Sequence, residues 1–145
     1  MACLIDTGIL LPAFDATCPE YRPIRRALRT LWSRQDRLIV ALQNLAEFWN
    51  VSTRPIDKNG YGLSVERVSK RLARIEQVCD VVTEDDDSFE VWKGLLVTYS
   101  VSGVAVHDAR LAAVMLWHGI PTIVTLNAQD FRRYSGISAI SPSEV

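Results

Sequence analysis

Val104–Phe131 reads VAVHDARLAAVMLWHGIPTIVTLNAQDF. This run predicts loop, helix, turn, strand and loop in succession. Ala109 to His118 is helical, Gly119 is its stop, and Pro121 to Thr125 is an apolar strand. Asp108 falls where the helix begins. Asn127 and Asp130 fall just past the strand. A carboxylate at a helix start beside polar groups at a strand's carboxyl edge is a place to hold a cation. The rest of the chain is therefore read by asking which other acids reach that edge.

Ala2 to Ile5 is a short apolar run closed by Asp6-Thr7-Gly8, the pattern of a buried parallel strand ending at a loop. Ile9 to Phe14 is a short apolar helix or turn. Pro19 to Pro23 opens a helix running to about Ser33, with Ile24, Ala27, Leu28, Leu31 and Trp32 at helical spacing. Leu38 to Ala41 is a second strand, and Gln43 to Thr53 a further helix carrying Glu47 among apolar neighbours. Arg54 to Leu63, with Pro55, Asn59-Gly60 and Gly62, is a loop. Ser64 caps an amphipathic helix whose inward face is Val65, Val68, Leu72 and Ile75. Val78 to Val82 is a third strand. A helix follows from Thr83–Asp87 through Tyr99, and Ile137 to Ile140 is an edge strand.

Strands thus alternate with helices, which predicts an α/β fold: a three-layer α/β/α sandwich with a mainly parallel central sheet. Right-handed crossovers bring every strand's carboxyl end to one edge, where sites in such folds collect. Asp6 and Asn127 each follow a strand and Asp108 starts a helix, so three separate segments converge there.

The chain of 145 residues is expected to form a single domain over residues 1–145. Its 48% hydrophobic and 23% charged residues are those of an ordinary globular protein. The net charge of -1 implies no global attraction to nucleic acid or anionic membrane, so a polyanion needs a local basic patch. Cys3, Cys18 and Cys79 lack metal-ligand spacing and read as free thiols of a reducing compartment. Asp6 interrupts the N-terminal apolar run, so no signal peptide is expected, and no run approaches a membrane span. The expected location is cytoplasmic.

Hard cations such as Mg²⁺ and Mn²⁺ prefer oxygen ligands. Clustered carboxylates raise one another's pKa when no cation is present. A fold gathering Asp6, Glu47 and Asp108 would be stabilised by a metal, which in turn activates water and offsets charge on a phosphodiester. Spacing alone leaves a second reading open, in which these acids are turn formers and helix caps.

Three segments, CLIDTGILL (3–11), NLAEFWNVSTRP (44–55) and VHDARLAAVMLWHGIPTIVTLNAQDF (106–131), resemble the PIN-domain superfamily and, within it, the VapC-type toxin ribonucleases of toxin–antitoxin systems. The likeness spans nearly the whole chain. It implies a Mg²⁺- or Mn²⁺-dependent endoribonuclease, with RNA as substrate, a cognate antitoxin protein as partner, and a homodimer. By position, Asp6, Glu47 and Asp108 would be the catalytic and metal-holding acids. The family often has a fourth acid in the loop after the last main strand. Here Asn127 stands at that position and Asp130 follows three residues on, so one ion is expected to be held firmly and a second only with substrate. Thr7, Arg54, His107 and Thr125 are candidate substrate contacts. Each has a plainer role: helix cap for Thr7, loop salt bridge for Arg54, packing for His107, strand-end packing for Thr125.

Other groups need no chemistry. Glu84 to Asp87 reads as a negatively charged helix start, and His118 beside Gly119 suits a helix end. Trp32, Trp49, Trp92 and Trp117 fall on apolar stripes and are expected in packing surfaces. The arginine rows 22, 25, 26, 29 and 67, 71, 74 with Lys70 are either solvated faces or contacts to RNA or an acidic antitoxin segment. Asn127 in place of an acid motivates one competing function, a non-catalytic PIN-like RNA- or protein-binding module. A DNA-directed nuclease is a third, and the chain lacks the length for a DNA-threading arch.

Overall fold

The computed structural model describes residues 1–145. Five strands, β1 (Ala2–Ile5), β2 (Arg37–Ala41), β3 (Asp80–Val82), β4 (Thr122–Val124) and β5 (Ser138–Ile140), form one sheet in the order β3-β2-β1-β4-β5. All four pairings are parallel. Six helices surround it: α1 (Thr7–Leu10), α2 (Tyr21–Ser33), α3 (Leu42–Thr53), α4 (Val65–Val78), α5 (Asp86–Thr98) and α6 (Ala105–His118).

Parallel strands need crossovers, and helices on both faces bury the central strands β1, β2 and β4 twice over, which explains their unbroken apolar runs. Alternate side chains face opposite layers. Cys3, Ile5, Leu38, Val40 and Val124 pack with Ile24, Phe48, Val68 and Ile75 from α2, α3 and α4. Leu4, Ile39 and Ile123 pack with Leu95 of α5 and with Leu111 and Met115 of α6. The two cores are equal in size, 14 buried residues each, so neither helical layer is an appendage.

The strand order positions the site. From β1 the chain builds outward through β2 to β3, then returns past β1 to lay down β4 and β5. The order reverses between β1 and β4, and the loops leaving those strands diverge there to open a crevice at their carboxyl ends. Asp6 leaves β1 and Thr125–Asn127 leave β4, so both border this switch point. Asp6 N–H donates to Val124 O at 3.1 Å, pinning the two exits together.

Helix α6 lies against this centre. Ala109, Ala112 and Ala113 are buried with Leu111, Val114 and Met115, and small side chains permit close packing on the sheet. Burial of Leu111 and Met115 contributes roughly 1.5–3 kcal/mol each. Gly119 ends the helix with φ 67°, a left-handed turn that costs glycine nothing.

The structure departs from the sequence reading in details. Helix α6 starts at Ala105, four residues before the expected Ala109, so Asp108 lies inside the first turn. Val65, expected inward, is 63% exposed because it is the first residue of α4, ahead of the packed turns. Trp32 and Trp117 are 56% and 42% exposed and do not belong to the cores; Trp117 Nε1 instead donates to Asp85 Oδ2 at 3.0 Å. The indole has both an apolar body and a polar tip, so a helical stripe does not decide its burial. Trp92 is half-buried, its Nε1 donating to Val106 O at 3.1 Å. Cys3, Cys18 and Cys79 are free thiols. No helix is long and apolar enough to cross a membrane.

Candidate functional site

Asp6 caps α1. Its backbone is extended, and its Oδ1 accepts from Thr7 N–H at 2.8 Å. Its other oxygen, Oδ2, accepts from Thr125 Oγ1 at 2.7 Å. Thr125 is completely buried at the end of β4, and its hydroxyl also accepts Asn127 N–H at 3.1 Å. One threonine thus ties the exit of β4 to the acid at the exit of β1.

Glu47 comes from the second turn of α3. Thr7 Oγ1 donates to its Oε2 at 2.8 Å, and Gln43 Nε2 donates to its Oε1 at 3.0 Å. The same Gln43 amide donates to His107 O at 3.1 Å, joining α3 to the first turn of α6. Asn44, fully buried, donates from Nδ2 to Thr7 Oγ1 at 3.2 Å, and its Oδ1 accepts Ala41 N–H at 2.9 Å. Gln43 and Asn44 belong to the hydrogen-bond network around these acids, and the sequence reading did not single them out. The position of Gln43 four residues before Glu47, on one helix face, was the available signal.

Asp108 sits beside these groups. Burial, then the charges of Asp130, Asp6 and Glu47, push its pKa up to about 6; His107 opposes them weakly. Asp6 is also raised. Burial is the main cause, the hydrogen bonds from Thr125 and Thr7 act against it, and the charges of Glu47 and Asp130 add to it. Four acids from four segments therefore share one electrostatic field. Asp6, Glu47, Asp108 and Asp130 are in none of the chain's ion pairs. Arg110, two residues after Asp108, is paired with Glu84 at 2.7 Å, and its charge also acts on Glu47.

Asn127 and Asp130 occupy the loop after β4. Asp130 lies in a short 3-10 turn, Ala128–Phe131, and its N–H donates to Asn127 O at 3.0 Å. Both side chains are exposed. Asp130, not Asn127, supplies negative charge to Asp6 and Asp108.

The donor set is chemically suited to a hard cation: carboxylate oxygens with no protein cation paired to them. No three His, Cys, Asp or Glu side chains are closed into a ligating group. The hydrogen bonds account for this. Glu47 is turned onto Thr7 and Gln43, and Asp6 onto Thr125.

Of the four candidate substrate contacts, Thr7 and Thr125 are buried and spend their hydroxyls on Glu47 and Asp6. His107 is exposed beside Asp108. Arg54 is turned into its own loop, donating to Asn59 O at 2.9 Å.

Against known families, the model described as PIN domain matches residues 3–137. No curated protein sequence matches significantly. Solved structures similar to this chain include VapBC2 from Rickettsia felis bound to a DNA fragment from their promoter, at 16% identity and TM-score 0.72, covering 97% of this chain and 98% of that one. Another is a toxin–antitoxin complex from Klebsiella pneumoniae, at 19% identity and TM-score 0.68, covering 97% of both chains. A third is VapC20 of Mycobacterium tuberculosis, a sarcin-ricin loop cleaving toxin, at 20% identity and TM-score 0.62, covering 83% of this chain and 86% of that one. At these identities the likeness is one of fold.

Proposed function

The chain belongs to the PIN domain family, and on that premise we propose that it is a metal-dependent endoribonuclease, the toxin of a type II toxin–antitoxin system. The observation that carries this reading is that Asp6, Glu47, Asp108 and Asp130 act on one another at the switch point and that none of them is in an ion pair, Arg110 being paired with Glu84 and His107 opposing only weakly. Asp6, Glu47 and Asp108 would hold Mg²⁺ or Mn²⁺, with Asp130 in place of Asn127 as the fourth acid. A bound divalent ion supplies activated water and offsets charge on the phosphodiester oxygens.

The chain's own groups do the positioning. Thr125 and Thr7 orient Asp6 by donating to it and favour its charged form against burial. Thr7 and Gln43 fix Glu47, and Asn44 fixes Thr7. Asp108, raised to about 6, exchanges its proton near neutral pH, so its affinity for a cation rises through that range. His107, exposed next to it, would touch the substrate. The partners proposed are RNA, a cognate antitoxin and a second copy of the chain, with action in the cytoplasm.

The test is cleavage of RNA by the purified chain with Mg²⁺ or Mn²⁺, beside Asp6→Ala, Asp108→Ala and an EDTA control, with DNA of the same sequence in parallel. RNA cleavage lost in both variants and in EDTA is expected. Equal activity in all samples, or cutting of DNA alone, would overturn the reading.

A further inference from the structure

The chain's charge is unevenly distributed. Helix α2 carries four arginines and no acid; α4 carries three arginines and one lysine against two glutamates. The two helices hold a net charge of +6 in a chain of net -1, which leaves -7 for everything else. None of those seven arginines is in an ion pair. Lys70 alone is paired, to Glu66 at 3.4 Å in an exposed contact of small worth.

These cations line a groove. Arg25 of α2 and Lys70, Arg71 and Arg74 of α4 border a cavity of about 320 Å³ with Phe14 and Tyr21 in its wall. Two guanidiniums are held by rings instead of acids: Arg71 lies over Phe14 at 5.3 Å, and Arg25 over Tyr21 at 6.0 Å. A ring orients a guanidinium through its face and leaves the in-plane N–H donors free, the donors that fit a phosphate. Asp15 and Tyr61 are the groups of other segments whose charge Arg71 senses, and burial and Arg67 outweigh them. Arg25 and Arg74 also border an adjoining apolar slot lined by Leu10, Leu28 and Ile75. Phe14 packs on Phe48, the residue after Glu47, at 5.7 Å, so the groove adjoins the helix that carries a site acid.

We propose that the groove between α2 and α4 is a second substrate site that grips the backbone of single-stranded RNA away from the acidic centre. The inference rests on the ribonuclease reading in taking RNA as substrate. A centre of four carboxylates, none of them in an ion pair, repels the phosphates of its substrate, and a basic groove outside it supplies the missing affinity. Free guanidinium forks meet phosphate oxygens, the guanidinium planes and the apolar slot receive unstacked bases, and single-stranded RNA presents both.

The experiment is binding of a labelled oligouridylate to the full chain in EDTA, followed by anisotropy across a range of salt. Each phosphate contact to a single strand adds about 0.7 to the slope of log affinity against log salt, so the Arg25→Gln/Arg71→Gln/Arg74→Gln variant loses about 2 from it. Between 50 and 200 mM salt the wild-type advantage then shrinks by about 16-fold. The Lys triple variant keeps charge and restores the slope, which a folding defect would not allow. Arg37→Gln with Lys93→Gln removes charge outside the groove and leaves the slope as it was. An unchanged slope in the Gln variant overturns the proposal. So does displacement of a polyglutamate peptide, but not of RNA, by that variant's mutations, which assigns the groove to an acidic protein segment. A chain that binds with the expected slope but cuts no RNA leaves the groove standing and removes the nuclease reading.

Discussion

Thr125→Val isolates one hydrogen bond of the site. The side chain keeps its shape and loses its hydroxyl. Thr125 Oγ1 donates to Asp6 Oδ2 at 2.7 Å from a fully buried position. A hydrogen bond to a charged group contributes roughly 1.5–3 kcal/mol net. The methyl gained by valine offsets part of this, and Asn127 N–H, at an exposed turn, finds water. The expected loss is about 1–2 kcal/mol, or about 3–8 °C in Tm for a domain of this size.

The pH dependence gives the sharper test. Asp6 already has a raised pKa, and the Thr125 hydrogen bond is the largest cause acting downward. Removing it raises the folded-state value further. A group with a raised folded value contributes stability fully present below its unfolded pKa and lost as pH rises through the folded one. The loss therefore starts at the same unfolded value in both proteins and runs on to higher pH in the variant. Its deficit is larger near pH 8 than near pH 4, because acidification favours the protonated form of Asp6, for which this hydrogen bond counts less. Urea unfolding in EDTA at both values measures it. Mn²⁺ affinity by calorimetry should fall about 10–100-fold, the usual cost of removing a group that orients a ligand. A deficit equal at the two pH values, or none near pH 8, would refute the charge argument. Unchanged Mn²⁺ affinity would refute the positioning role.

Asp108 carries the same sign: with its pKa at about 6, the metal-free chain should lose stability as pH rises from 5 to 7, and saturating Mn²⁺ should remove that loss, as read by Tm. Asp130→Asn removes the largest charge acting on Asp108, so the Asp108 pKa should drop toward its ordinary value while Mn²⁺ binding weakens; an unshifted carboxyl titration by NMR would contradict this. Gln43→Ala cuts the tie between Glu47 and His107 O, and should reduce RNA cleavage at least tenfold with the fold intact by circular dichroism. Asp85→Ala removes the N-cap of α5, which accepts from Asp87 and Ser88 N–H, at a cost of about 1 kcal/mol in urea unfolding and no change in cleavage.

The parallel sheet and its helices were readable because doubly buried strands leave continuous apolar runs between amphipathic helices. The order β3-β2-β1-β4-β5 was not, since alternation fixes the crossover hand and not which strand becomes the centre. That order is what sets Asp6 beside Thr125, residues 119 apart in sequence. Polar partners were the weakest part of the reading. Gln43 and Asn44 look like ordinary surface residues of a helix start, and only the tertiary contact between α3, α1 and α6 turns them inward. The loop after β4 shows why a position is a poorer guide than a field. Asn127 stands where the family often has an acid, yet its backbone, not its side chain, does the work observed: its N–H meets Thr125 and its carbonyl accepts from Asp130. That tight turn carries the acid one 3-10 turn further on, and Asp130 becomes the largest charge acting on Asp108. The negative charge acting from this loop on Asp108 thus comes from residue 130, on an exposed side chain, and not from residue 127.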